Sequence, residues 1–106
     1  MFRDDFQKSA VCQALCARAG RPSLWTPSGP SRVADELLEA GGGPLSHGEK
    51  VMLFVAWAVW NGEGRLTLDE LVNTLDGKNL EFVGSLLVAL SGGSAAIDAW
   101  LDEHLG

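Results

Sequence analysis

Four side chains in this sequence carry the atoms for metal or nucleophile chemistry: Cys12, Cys16, His47 and His104. A structural zinc site takes four N or S ligands, and its sequence signature is close-spaced pairs such as C-x-x-C followed by H-x-x-x-H. Cys12 and Cys16 are four apart and the two histidines stand alone, so the spacing points to two small side chains packed on one helix. A bridge between positions i and i+4 of a helix is strained, and the pair reads as free thiols of a reducing compartment. Either histidine beside a carboxylate would make an acid–base pair, but there is no Gly-x-Ser-x-Gly, phosphate loop or redox dithiol to accompany it. His47 falls in the first turn of one helix, and His104 lies near the end of another, where the helix dipole favours an imidazolium. No catalytic site and no cofactor are expected.

Residues 59–70, Val-Trp-Asn-Gly-Glu-Gly-Arg-Leu-Thr-Leu-Asp-Glu, lie between two predicted helices and carry oxygen-bearing side chains at intervals. With Gly64 at the turn, Asn61, Glu63 and Thr67 fall at side-chain ligand positions three, five and nine, and Glu70 falls at twelve. In this the segment resembles an EF-hand calcium loop, and the resemblance implies cation binding by Asn61, Glu63, Thr67 and Glu70 with the Arg65 carbonyl. The departure is at position one, where the loop needs a carboxylate and Val59 has no side-chain oxygen. The plainer reading is a helix–loop–helix turn in which Glu70 closes a capping box with Thr67, and the residue types favour it.

Two further features bear on binding. Trp25 sits in a Pro/Ser/Gly-rich loop, where an indole is either a plug on the domain or an anchor displayed to a partner; exposing so large an apolar group favours the plug. Asp98, Asp102 and Glu103 fall in the last turns of the final helix, where the dipole opposes negative charge and Asp98 repels Asp102 at i, i+4. Such penalties are only a few tenths of a kcal/mol each on a solvated face. They are also what a surface meeting a basic partner would carry.

The elements that position these residues are helices. Leu and Ala outnumber Val, Ile and Thr by more than two to one, and the former pair favours helix while the latter favour strand. A first helix over residues 3–19 carries Phe6, Ala10, Ala14 and Ala17 on one stripe, with Val11 and Leu15 beside it. Residues 20–30 hold three of the four prolines and predict an irregular loop. Ser31 caps a short helix with Val33, Ala34, Leu37 and Leu38 inward, closed by Gly41-Gly42-Gly43. Ser46-His47-Gly48-Glu49 is a capping box that starts a third helix reaching Trp60; its residues 51–60 are apolar on every side, so it is central. Thr67 to Glu70 caps a fourth helix with Leu68, Leu71, Val72 and Leu75 on one face. A fifth shows Leu80, Val83, Leu87 and Leu90 at near-heptad spacing with Glu81 and Ser85 as a polar strip. Ser94 caps a sixth that packs through Ile97, Trp100 and Leu101, with His104 and Leu105 continuing the same stripe. The fold class is therefore all-α: one domain over residues 1–106, a compact bundle of five to six short helices around a hydrophobic central helix at about residues 47–60.

Charge narrows the function. The formal net charge is −6. Residues 1–50 are balanced, whereas residues 51–106 hold eight acids against Arg65 and Lys78, so the whole excess is C-terminal. A negative field repels phosphate backbones, and DNA or RNA binding is not expected. The longest apolar run, residues 51–60, is half of the roughly 20 residues that cross a bilayer, and the N-terminus lacks the pattern of a secretory signal. A cytoplasmic protein acting without catalysis follows: a regulator, inhibitor or immunity-type protein that docks Trp25, Asp98, Asp102 and Glu103 on a basic protein surface, as a monomer or as a homodimer burying part of the third or fifth helix. The alternative is an ion-responsive module built on the 59–70 loop.

Overall fold

The computed structural model describes residues 2–62 and 66–105. Six helices form among them: α1 (Asp5–Arg18), α2 (Arg32–Glu39), α3 (His47–Asn61), α4 (Leu68–Thr74), α5 (Gly77–Ser91) and α6 (Ser94–His104). The mainly α-helical fold expected of the composition is the one observed.

Side-chain caps set most of the boundaries. The Ser46 hydroxyl accepts from the Glu49 amide at 3.3 Å while the Glu49 carboxylate accepts from the Ser46 amide at 2.9 Å. Thr67 and Glu70 repeat this at α4, and Asp4, Ser31 and Asp76 cap α1, α2 and α5. These pairs satisfy amides that the first helical turn leaves unbonded. At α6 the expectation fails: Gly93, at φ +86, is the cap, and Ser94 is the first helical residue. Its hydroxyl faces Gln7 Nε2 at 3.2 Å instead.

Residues 20–30 are more ordered than their prolines suggest. A 3-10 turn over Pro22–Leu24 leads into strands β1 (Trp25–Thr26) and β2 (Gly29–Pro30), paired antiparallel with Trp25 opposite Pro30. The Thr26 hydroxyl closes the hairpin by donating to the Gly29 carbonyl at 2.9 Å. Ser9 Oγ fastens it to α1 by donating to the Thr26 carbonyl at 2.6 Å. Gly29 has φ +141, and a Cβ there would stand 3.2 Å from the Trp60 ring, so the hairpin approaches α3 through a residue without a side chain.

The core lies between α1 and α3, the most extensive helix pair. Val51 to Ala56 of α3 are all buried, with Trp57 to Trp60 half-buried, as a central helix requires. Its partner presents Val11, Cys12, Leu15 and Cys16. The expected stripe holds in its middle and fails at its ends: Ala14, Val11 and Leu15 are buried and Ala10 packs on the core, but Phe6 is 67% exposed and Ala17 lies outside, while Gln7 and Ser9 are buried. Where α1 meets α3, the Cys12 thiol donates to the Ala56 carbonyl with Sγ at 3.3 Å.

The other helix faces also differ from their sequence patterns. Val33 points outward on α2, and Ala34 and Leu38 are inside. No residue within α4 is buried; Leu75 just after it is, while Leu68 and Val72 are exposed. On α5 the buried set is Phe82, Val83, Leu86 and Ala89, and Leu87 of the expected repeat faces out beside Val88. The reason is α6, the closest neighbour of α5: Trp100 packs on Phe82 with ring centroids 5.2 Å apart and donates its indole N–H to Ser85 Oγ at 2.9 Å. Ile97, Trp100 and Leu101 of α6 are buried as expected, and His104 and Leu105 are not. No helix among the described residues is long and apolar enough to cross a membrane.

Candidate functional site

Three helices that pack onto the core by one face leave their other faces turned toward a common gap. Val55, Ala58, Val59 and Gly62 lie at i, i+3, i+4 and i+7 along α3, and Val83, Leu87 and Leu90 lie at i, i+4 and i+7 along α5. Leu66 and Leu71 form the wall on the α4 side, and Phe2 stands at the N-terminal end. Together they enclose an open groove of about 420 Å³, lined among the described residues by apolar side chains and Gly62. Phe2 is held by its neighbour, since Arg3 donates its amide to Gln7 Oε1 at 2.7 Å and its guanidinium pairs with Asp98 at 2.7 Å.

What the described lining offers a ligand is the burial of apolar side chains. Leu87 in the lining is 57% exposed, and α4 and α5 also carry Leu68, Val72 and Val88, exposed by 75%, 50% and 72%. Single exposed apolar residues are ordinary, whereas a contiguous apolar surface is the kind that a partner can cover. The adjoining helix α4 carries Asp69 and Glu70, both exposed, and no base.

A second cleft, of about 400 Å³, lies where α5 and α6 meet the end of α1. Arg18, Lys78, Glu81, Glu103 and His104 surround it over a floor made by Phe82. The His104 ring meets Phe82 edge to face, with centroids 4.9 Å apart, and lies tilted against Trp100 at 4.6 Å. Arg18 Nε donates to Asn79 Oδ1 at 2.8 Å while its guanidinium lies 5.2 Å from the Phe82 ring. Charges of both signs line this cleft, so it selects neither an anion nor a cation.

The residues singled out in the sequence are scattered. Trp25 is 2% exposed and meets Trp60 edge to face at 5.9 Å; it is a plug on the core and presents no anchor to a partner. Its indole N–H has no acceptor among the described residues. Asp98 accepts from Gln7 Nε2 at 2.9 Å and from Arg3 at 2.7 Å, and these bonds hold its carboxyl below the ordinary range. It ties α6 to the start of α1. Asp102 and Glu103 are exposed.

Of the EF-hand-like positions, Glu63 lies outside the described residues with Gly64 and Arg65. Asn61 belongs to the last turn of α3, and Glu70 accepts from the Thr67 hydroxyl at 3.2 Å within the capping box. Among the described residues no three His, Cys, Asp or Glu side chains converge as a metal site would require. Cys12 and Cys16 are both buried and unbridged. Burial raises both thiols, Cys16 to about 12, and the neighbouring Cys16 raises Cys12 further.

Sequence reasoning missed the groove. The signal was there in part: residues 86–90, Leu-Leu-Val-Ala-Leu, are apolar on every side of α5 just as 51–60 are on α3, and such a helix needs cover all round. Matched against protein-family models, curated proteins and solved structures, the chain finds no counterpart in any of the three.

Proposed function

We propose that this protein acts without catalysis, by binding a protein partner that has a basic surface, in the manner of a regulator, inhibitor or immunity-type protein. The observation that carries the reading is the open apolar groove between α3, α4 and α5, with half-exposed Leu87 in its lining and exposed Leu68, Val72 and Val88 on α4 and α5. Covering such a surface removes apolar area from water, at roughly 25 cal/mol per Å² of it. Charge supplies the complement: the C-terminal excess of acids, with Asp69 and Glu70 exposed on α4, the helix of the lining residue Leu71, and Asp102 and Glu103 exposed on α6, attracts a basic surface. Such complementarity raises the association rate and makes it fall with salt, over a Debye length of about 8 Å at physiological ionic strength.

A photo-crosslinking residue at Leu87 tests this in the native cytosol, with the same residue at exposed Phe6, away from the groove, as the control. The expected result is a discrete protein adduct from position 87 alone, whose yield falls with salt and with Asp69→Asn/Glu70→Gln. Equal adducts from both positions, or none from either, would overturn the reading.

A further inference from the structure

Resting on that reading, we infer that the groove seats one amphipathic α-helix of the partner, with apolar anchors at i, i+3 or i+4, and i+7 and with Lys or Arg flanking them. The dimensions come from the two long walls. The α3 wall runs from Val55 to the cap residue Gly62, and alongside it Val83 to Leu90 on α5 advances seven residues, about 10 Å at 1.5 Å per residue. That is the rise between positions i and i+7 of a docking helix, so two turns of it match the groove from end to end. A cavity of about 150 Å³ accepts a benzene-sized group, and the 420 Å³ here takes two or three such side chains.

The other modes of recognition fit less well. Strand addition needs a free sheet edge, and these walls are helices whose interior amides are already bonded within their own turns. Proline-rich segments dock on aromatic-lined grooves, and Phe2 is the single aromatic residue in this lining. Small-molecule sites fix their ligand by a few placed polar groups, and no polar side chain lines this one among the described residues. A second copy would bring another −6 charge and, across a two-fold axis, another set of α4 acids onto the same surface. Charge therefore selects a basic partner, and the absence of any base on α4 places its Lys or Arg beside Asp69 and Glu70.

The test uses the full chain and labelled 15-residue peptides of Leu and Lys. One has Leu at i, i+3, i+4 and i+7; a second has the same composition with that period broken; a third replaces Lys by Glu. Fluorescence anisotropy is expected to give at least tenfold tighter binding for the first than for either other. Leu87→Ser is expected to weaken it at least tenfold while leaving the melting temperature within a few degrees, and Phe6→Ser to leave the affinity unchanged. Should the periodic and scrambled peptides bind alike, or Leu87→Ser bind as wild type, the helical occupant is refuted. If crosslinking at Leu87 still captures a basic protein in that case, the binding reading stands and only the form of the partner is wrong. Failure of both experiments removes the groove as a site. Sedimentation showing a dimer that Leu87→Ser dissociates would assign the groove to a second copy and overturn the proposal.

Discussion

Two adjacent leucines on α5 give the sharpest test of this architecture, because the side on which each lies decides whether the groove exists. Leu86 is 0% exposed, so Leu86→Ala removes a fully buried isobutyl group, a change that costs about 2–5 kcal/mol in packed cores. Leu87 is 57% exposed. Less than half of the roughly 1.5–3 kcal/mol gained by burying a whole leucine is there to lose, and alanine is the better helix former, so Leu87→Ala costs about 1 kcal/mol or less. With an unfolding entropy of roughly 2.1 cal/mol/K per residue, each kcal/mol lowers the melting temperature of a chain this size by about 4–5 °C. The expected drops are about 10–20 °C for Leu86→Ala and under about 5 °C for Leu87→Ala, read by far-UV circular dichroism and checked by urea midpoints. Equal drops, or a larger one at Leu87, would put α5 in the phase of its Leu80, Val83, Leu87, Leu90 repeat and close the groove.

Other outcomes follow from the contacts. The Glu49 carboxylate accepts from Arg21 Nε at 2.8 Å and from the Ser46 amide, which lowers it from an ordinary value of 4.5 to about 2. A lowered folded value stabilises fully above about pH 4.5 and is lost as pH falls toward 2, so thermal melts across that window should fall more steeply for wild type than for Arg21→Gln; parallel curves would deny the pair any role. Both thiols are buried and raised, so a thiol reagent at about pH 8 should label Cys12 and Cys16 only as the protein unfolds, and immediate labelling of the native state would contradict their placement. Gln7 is 1% exposed and its amide bonds Ser94 and Asp98. Gln7→Ala leaves those groups short of a donor and should cost roughly 1–3 kcal/mol in urea unfolding, against no change if water replaces it freely. Calcium at millimolar concentration should leave the melting temperature unchanged, because Val59 supplies no ligand; a rise of several degrees that Glu70→Gln abolishes would restore the cation reading.

What the sequence by itself determined was local. Ser46 with Glu49, and Thr67 with Glu70, cap helices through bonds spanning three residues, so their starts are written in adjacent letters. The central place of α3 was legible too, since a segment apolar on every side admits no exposed face. What tertiary structure decided was which faces meet. On α1, periodicity alone ranks Phe6 above Gln7, yet Gln7 is buried because α6 offers it Ser94 and Asp98, 87 and 91 residues away in the chain. On α5, nearly apolar all round, Trp100 of α6 chose the Phe82 and Leu86 side by stacking on Phe82 and bonding Ser85. Leu87 and Leu90 were thereby left toward α3, across a gap whose width depends on how the helices diverge. No spacing of residues along one helix encodes the distance to another, and so the groove belongs to the fold alone.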